Sequence, residues 1–482
     1  MKPPLACKNC RARKKKCDRA YPVCSYCLRT HDRCEYRVDS HTSHPVRPTL
    51  SLAAPENSNS NTQKVRFNAA MFLGYPNNHL PKLVGLESTT VEADVMEYIY
   101  NADESERQRW VSDFIRIVDP WMPFIPLKEL RTNLLDESRL LKGEDALLLA
   151  CIKLNTEPLS GDQPVNRNYL AVKSTFVNAE IYGTLSIRLL QASLLLLLYE
   201  HGHGIYPSAY TTLGSCARYL GALDIGTGSE YDDVSHWMVG EQRRRLWWFI
   251  YVMERIMALG CPQRPLLLRE PDENQILPSD DISWQQEYPT PHSRLMLLFP
   301  ATSNMGTFRL LVHAAYLVGR VIQLVSDYHA GLKSIARRQK QLYSTIDALA
   351  NVLEVERQTN IVSVSVARST LNSAVFVLYS FGEPGDDEFG DIYNLTHPIS
   401  KSAYTCLKLT NIYISGDLTS AQSVSPFVLS WGFHVFRYFY NRYNADGHQD
   451  SFESLEIMRK GLEALGNKWK LAEVYAVLLS GS

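Results

Sequence analysis

Six of the chain's ten cysteines stand within its first 34 residues, and no other feature constrains the fold as tightly. Cys7, Cys10, Cys17, Cys24, Cys27 and Cys34 follow the spacing C-x2-C-x6-C-x6-C-x2-C-x6-C. The pattern is a repeat, because Cys7 to Cys17 and Cys24 to Cys34 share the unit C-x2-C-x6-C. Two such half-units point to two metals held by pseudo-symmetric arms. Structural zinc takes four tetrahedral ligands, commonly thiolates. Two separate sites would need more sulfurs than six, unless two sulfurs bridge both metals. The repeat offers its equivalent first cysteines, Cys7 and Cys24, as that pair. One zinc then takes Cys7, Cys10, Cys17 and Cys24, and the other Cys7, Cys24, Cys27 and Cys34. A disulfide framework and a single zinc with two spare cysteines are the competing readings. The sequence opens Met-Lys-Pro-Pro-Leu with no apolar signal run, and a reducing compartment favours metal over disulfide.

The cysteines share their segment with a concentrated positive charge. Residues 1–37 carry a formal +8, whereas the whole chain is −1, which leaves −9 on the remainder. Six thiolates and two zinc ions would lower the head by only about two charges. A nearly neutral chain therefore presents a basic head that a polyanion would meet. Much of that charge lies between Cys10 and Cys17, as Arg11, Ala12, Arg13, Lys14, Lys15 and Lys16. Ligation at both ends would pin this stretch, and the expectation is a short helix with Arg13 and Lys14 on one side. The same run is a candidate nuclear import signal. Pro22 lies in the segment joining the arms, where a fixed φ suits a turn.

The six cysteines, the basic run and Pro22 together resemble the fungal zinc binuclear cluster family of transcription factors. The resemblance covers residues 7–37 and implies two Zn2+ ions, double-stranded DNA as partner and a nuclear location. It also implies that the end of the first helix enters the major groove, where basic residues read a short G/C-rich triplet. By position, Arg13 and Lys14 are the candidates for base contact. Lys8, Arg11, Lys15, Lys16 and Arg19 are then candidates for phosphate contact, since phosphates position a protein without carrying sequence information. His31, in the less basic second arm, is expected at the surface because thiolates already complete both metal sites.

Residues 38–66 are rich in Ser, Thr, Asn, Pro and His and lack an apolar period, as expected of a flexible linker. No a/d heptad run follows the cluster between Glu35 and Gly85, unlike many members of the family. Monomeric binding and a homodimer formed through the large domain both stay open. From about residue 86 the composition turns globular. Leu194–Leu198 and Trp247–Met253 are too short or interrupted to span a bilayer, so no membrane is expected. Cys151, Cys216, Cys261 and Cys406 are isolated and expected to be buried thiols.

The apolar periodicity is helical nearly throughout. Pro207 is expected to open a helix carrying Tyr210, Leu213, Ala217 and Leu220. Leu246, Phe249, Ile250, Met253 and Met257 repeat the stripe. Further runs lie near 143–154, 185–199, 306–326, 333–354, 361–380, 398–413, 421–441 and 453–479. Within them, Arg243-Arg-Arg-Leu-Trp-Trp-Phe-Ile-Tyr251 with Glu254-Arg255 resembles the signature of the fungal transcription factor regulatory domain, the middle homology region. Gly260–Pro265, Leu277–Asp281 and the Trp469 segment fit its continuation. This resemblance implies control of activity by a small-molecule effector or the transcriptional machinery. Arg243–Arg245 are expected to pair with Glu241 or Asp280 rather than with nucleic acid. Trp247 and Trp248 are expected in the core.

Two motifs hint at other chemistry and do not carry it. His201-Gly-His203-Gly has no acidic partner at ligand spacing and reads as a loop. Asp386-Asp-Glu-Phe-Gly-Asp391 is similar to an aspartate-rich Mg2+ box, but it follows the loop signal Gly382–Gly385 and has no second box. An enzyme is therefore not expected. The expected organisation is a zinc binuclear cluster module at 1–37, a flexible linker at 38–85 and a large all-α regulatory domain at 86–482. The expected function is sequence-specific regulation of RNA polymerase II transcription of a metabolic or secondary-metabolite gene set. The alternative is a zinc-stabilised interaction protein that reads no sequence.

Overall fold

The computed structural model describes residues 6–18, 24–30, 93–100, 103–135, 141, 143–159, 163–226, 236–290, 293–332, 335–357, 361–381, 391–416 and 424–480. The chain divides into two compact units, Met1–Asn61 and Thr62–Ser482. The expected linker, Cys34, Pro22, Arg19, His31 and all but Asp391 of the acidic motif lie outside the described residues. Among its described residues the first unit holds two short helices, α1 (Lys8–Ala12) and α2 (Ser25–Thr30). The second unit runs α3 (Ala93–Tyr100), α4 (Glu104–Ile117), α5 (Leu127–Leu134), α6 (Glu144–Thr156), α7 (Arg167–Ile181) and α8 (Ile187–Gly202). It continues through α9 (Ser208–Ala222), α10 (Trp237–Ala258), α11 (Asp281–Gln286), α12 (Thr307–His329), α13 (Ala336–Arg357) and α14 (Ile361–Leu378). It closes with α15 (Pro398–Ile414), α16 (Leu429–Asp446), α17 (Gln449–Gly466) and α18 (Leu471–Ser480). Among the described residues no strand forms, and one antiparallel bridge joins Ile276 to Met296. The all-α expectation holds.

Helix α8 lies at the centre because its Leu-rich sequence leaves no polar face, and such a helix must be covered all round. It packs against α6, α7, α9 and α10. Ser186 starts it by accepting the N–H of Leu189 and donates its hydroxyl to Glu144 at 2.8 Å, which ties the starts of α8 and α6 together. Helices α12 and α14 are long and apolar enough to cross a membrane by composition, which corrects the expectation that no stretch is. Both are mostly buried and pack against each other in the protein interior. A second, smaller core gathers Phe376, Trp431, Phe439, Met458 and Trp469 from α14 to α18, and Tyr379 packs against both cores.

Helices α3, α4, α5 and α7 were not expected. They are short or largely polar, with the apolar stripe confined to a few positions such as Trp110, Val111, Phe114 and Ile117 on α4. The run expected at 453–479 divides into α17 and α18, because Trp469 turns inward between them and donates its indole N–H to Val424. Pro207 takes the cap position of α9 rather than its first turn. Of the later cysteines, Cys151, Cys216 and Cys406 are buried, whereas Cys261 is half-buried in the turn after α10.

The polar residues of α10 hold a long irregular segment against the core. Arg245 is fully buried. Its guanidinium pairs with Glu241 at 2.8 Å and donates to the carbonyls of Pro123 and Ser279, each at 2.9 Å. It also lies over the ring of Trp284, 4.2 Å from its centroid. Glu241 in turn accepts the N–H of Ser279 at 2.6 Å and pairs with Arg244. Trp248 donates to the carbonyl of Ile276, and Arg309 of α12 donates to those of Pro278 and Ser293. Further along α10, Arg255 bonds Glu254, Glu270 and the carbonyl of Leu268. The expected ion pair to Glu241 therefore forms through Arg244 and Arg245. Arg243 instead donates to the carbonyls of Leu223 and Asp224 beyond the end of α9. Asp280 pairs with none of the three and caps α11 through the N–H of Ser283.

Removing one partner from a buried ion pair strands the other. Arg245→Met should destabilise the helical unit by about 3–5 kcal/mol. Arg243→Ala, which loses two carbonyl contacts near the surface, should cost only about 1–2 kcal/mol. Urea unfolding followed by helix circular dichroism checks the ranking.

Four imidazoles add a pH dependence. Burial pushes His201, His313 and His434 down to about 4 and His203 to about 3. Nearby Arg309, Arg437 and the pair Lys468 and Lys470 reinforce the shift at His313, His434 and His203 respectively. A folded-state value below the unfolded one contributes stability that is present above about pH 6.5 and lost as the pH falls toward 4. Asp119, raised by burial to about 7, opposes this trend. Unfolding midpoints should therefore fall between pH 6.5 and 4, and less steeply in His313→Leu.

Candidate metal centre and nucleic-acid interface

The two arms of the cysteine repeat begin alike. Cys7 is the cap residue of α1, and its sulfur accepts the N–H of Cys10 at 3.4 Å. Cys24 precedes α2, and its sulfur accepts the N–H of Cys27 at 3.5 Å. A sulfur that carries negative charge on binding metal thus sits at a helix start, where the backbone dipole favours it. Cys7, Cys10, Cys24 and Cys27 are fully buried against one another. Their sulfurs lie 3.8 Å apart for Cys7 and Cys24, 3.7 Å for Cys7 and Cys27, and 3.6 Å for Cys10 and Cys24. A tetrahedron of thiolates around zinc has an edge of about 3.8 Å. The sulfurs of Cys7, Cys10, Cys17 and Cys24 all fall within 4.8 Å of one another, so this donor set fits a zinc ion.

Three residues that the cysteine pattern did not single out brace the arms. Asn9 donates to the sulfur of Cys27 at 3.5 Å. Asp18 accepts the N–H of Ser25 at 3.0 Å and also its hydroxyl, joining the end of the first arm to the start of α2. Tyr26 packs against the cysteines. The signal for Asp18 was present as an acidic residue directly after Cys17, matched by a serine directly after Cys24.

The basic run is placed differently from expectation. The helix covers Lys8–Ala12 rather than Cys10 to Cys17. It ends in a Schellman turn, in which the N–H of Lys15 reaches the carbonyl of Cys10 at 2.9 Å and that of Lys14 reaches Arg11 at 3.3 Å. Lys14 adopts the left-handed conformation, with φ of 49°. The chain must reverse here so that Cys17 can return to the sulfurs of Cys7 and Cys10. Arg11, Arg13, Lys14, Lys15 and Lys16 are all exposed. Lys8 lies in the first turn of α1.

The profile of the "Fungal Zn(2)-Cys(6) binuclear cluster domain" matches residues 5–43, and that of the "Fungal specific transcription factor domain" matches residues 139–365. Transcription factor BOA15 of Botryotinia fuckeliana is 34% identical over 164 residues, which span 33% of this chain and 88% of that protein. This chain belongs to the fungal zinc binuclear cluster transcription factors. The Arabinolytic transcriptional activator araR of Emericella nidulans is 50% identical over 46 residues, 9% of this chain and 6% of that protein. Members of the family are DNA-binding regulators, not enzymes, and the cluster domain binds two zinc ions.

Within this family member, the histidine and tryptophan motifs are structural. His201 lies in the last turn of α8 and hydrogen-bonds the Tyr206 hydroxyl at 2.9 Å, so the expected loop begins only at His203. His203 packs between the rings of Tyr199 and Trp469. Gly202 has to be glycine, because an added Cβ would meet the Trp469 ring at 2.3 Å. Trp247 and Trp248 are core residues, as expected.

Because ligand thiolates must lose their protons and the core among the described residues of this unit is the cysteines themselves, zinc binding and folding of the unit are linked. Strong chelation should remove the ordered structure of the cluster while leaving the helical unit folded. Cys7→Ser should do the same without chelator, and Cys151→Ser should not. Zinc content by atomic absorption, together with amide protection of residues 6–30, reads the difference.

Proposed function

We propose that the chain is a sequence-specific regulator of RNA polymerase II transcription, acting in the nucleus on promoter sites that contain G/C-rich triplets. Its targets on this reading are a metabolic or secondary-metabolite gene set. Residues 1–37 form the DNA-reading module, 38–85 the linker and 86–482 the regulatory domain. Cys7 and Cys24 bridge the two metals. Cys10 and Cys17 complete one site, and Cys27 and Cys34 the other. Arg13 and Lys14 contact bases, while Lys8, Arg11, Lys15, Lys16 and Arg19 contact phosphates.

The observation that carries this reading is the exposed basic run at the end of a helix whose other end is fixed in the cysteine cluster. A side chain there is held in orientation by the metal site rather than by a protein core. Guanine presents two acceptors in the major groove, and a fixed lysine or arginine can distinguish them. Phosphate contacts add affinity that falls steeply with salt.

Lys14 allows a clean test, because glycine is the residue its backbone conformation favours. Lys14→Gly should keep the cluster folded and weaken binding to a preferred duplex by about 1–3 kcal/mol, with little change on random duplex. Lys15→Ala should weaken both duplexes alike and lower the salt dependence by about one phosphate contact. Titrations of the zinc-loaded full chain against duplexes from a randomised selection measure both. An unchanged preference in Lys14→Gly removes that residue from base reading. The absence of any preferred duplex returns the cluster to a zinc-stabilised interaction module.

A further inference from the structure

The second, smaller core contains a cavity of about 170 Å3 between α14, α15, α16 and α17. It lies largely beyond the residues matched by the family profiles. Small residues leave the space. Ser365 and Gly432 line it, and at Gly432 an added Cβ would already touch Leu462 at 3.5 Å. The rest of the wall is mostly apolar, with the flat indole of Trp431 among it. Cys406 is also part of the wall, and burial pushes its thiol up to about 12, so it stands there as a neutral group.

The charged residues of the lining all have one sign. Arg357 and Arg368 line the cavity, and among the described lining residues there is no Asp or Glu. Both guanidinium groups reach the same carboxylate, that of Glu354, which belongs to α13 outside the lining. Arg357 bonds it at 2.6 Å, and Arg368 bonds its other oxygen. These bonds, Arg357 first, hold the Glu354 carboxyl below the usual carboxylate range. Two cations against one anion leave a formal positive charge beside an apolar cavity. The shared carboxylate also fixes the orientation of both guanidinium groups, which lowers the entropy lost when either binds a ligand.

We propose that this cavity binds a small organic acid with an apolar body, its carboxylate paired with Arg368 and Arg357 and its body against Trp431. A dry cavity of about 150 Å3 accepts benzene. This one therefore holds one ring or a short alkyl chain, and the guanidinium pair selects the acid over its neutral counterpart. The site concerns ligand binding alone and stands or falls independently of which DNA sequence the cluster reads.

Benzoate and hexanoate are the probes, with benzyl alcohol and 1-hexanol as neutral counterparts. Each is titrated calorimetrically into the zinc-loaded full chain. The acids should bind at one site per chain, at least about tenfold more tightly than the alcohols. Arg368→Gln should abolish that preference while leaving alcohol binding unchanged. Ser365→Leu, which fills the cavity, should abolish binding of both classes, with helix circular dichroism confirming the fold. Arg368→Gln carries the test by itself if Ser365→Leu does not fold. The proposal is overturned if neither acid binds at millimolar concentration, if the alcohols bind as well as the acids, if Arg368→Gln keeps the acid preference, or if a folded Ser365→Leu still binds.

Discussion

The helical unit depends on a guanidinium that water cannot reach. Arg245 has no exposed surface, and neither does Glu241, its partner one turn earlier on α10. Burying such a pair is unfavourable unless every remaining donor and acceptor finds a partner. Here the partners are backbone groups of segments that have no regular structure of their own, at Pro123 and Ser279. An irregular segment cannot satisfy its own carbonyls and N–H groups, and α10 supplies the missing partners. Arg309, Trp248 and Arg255 repeat the device along the same segment. The arrangement gives up some stability relative to an apolar core and gains a defined path for the chain between α10 and α12.

The cluster unit reaches order by a different route. Its helices are only five and six residues long, far below the length at which a helix persists alone. At that length even good helix formers such as Ala12 and Leu28 do not compensate through propensity. What starts each helix is a cysteine sulfur accepting an N–H, and what holds the two together is the convergence of those sulfurs. The same atoms therefore serve as caps and as metal donors. That dual use explains why the spacing C-x2-C recurs in both arms. The second cysteine must stand three residues after the first for its N–H to reach the sulfur.

The sequence made these features legible to different degrees. The donor set and the pseudo-symmetry could be read from spacing, because ligation imposes sequence distance directly. The core helices α6, α8, α10, α12 and α14 could be read because burial imposes a long apolar record. Helices α3, α4, α5 and α7 could not, since each buries only a narrow stripe and is stabilised by neighbours remote in sequence. The roles of Arg243, Arg244 and Arg245 were legible in kind but not in detail. Three adjacent arginines point in three directions on a helix, and only the fold determines which meets a carboxylate and which a carbonyl. The extent of α1 was misread for a related reason. The basic run suggested a continuing helix, whereas the need to return Cys17 to the other sulfurs stops it at Ala12.

On the proposed reading, Lys14 joins a cost in stability to a role in recognition. A residue other than glycine in the left-handed region costs roughly 1–2 kcal/mol, and the Schellman turn at this position would accept glycine without loss. A lysine there is thus unfavourable for folding, in a unit too small to have stability to spare. The metal overdetermines the turn and so tolerates the strain. A backbone outlier argues for function only when an independent constraint sustains it, and here the convergence of the Cys10 and Cys17 sulfurs, on either side of Lys14, with those of Cys7 and Cys24 is that constraint.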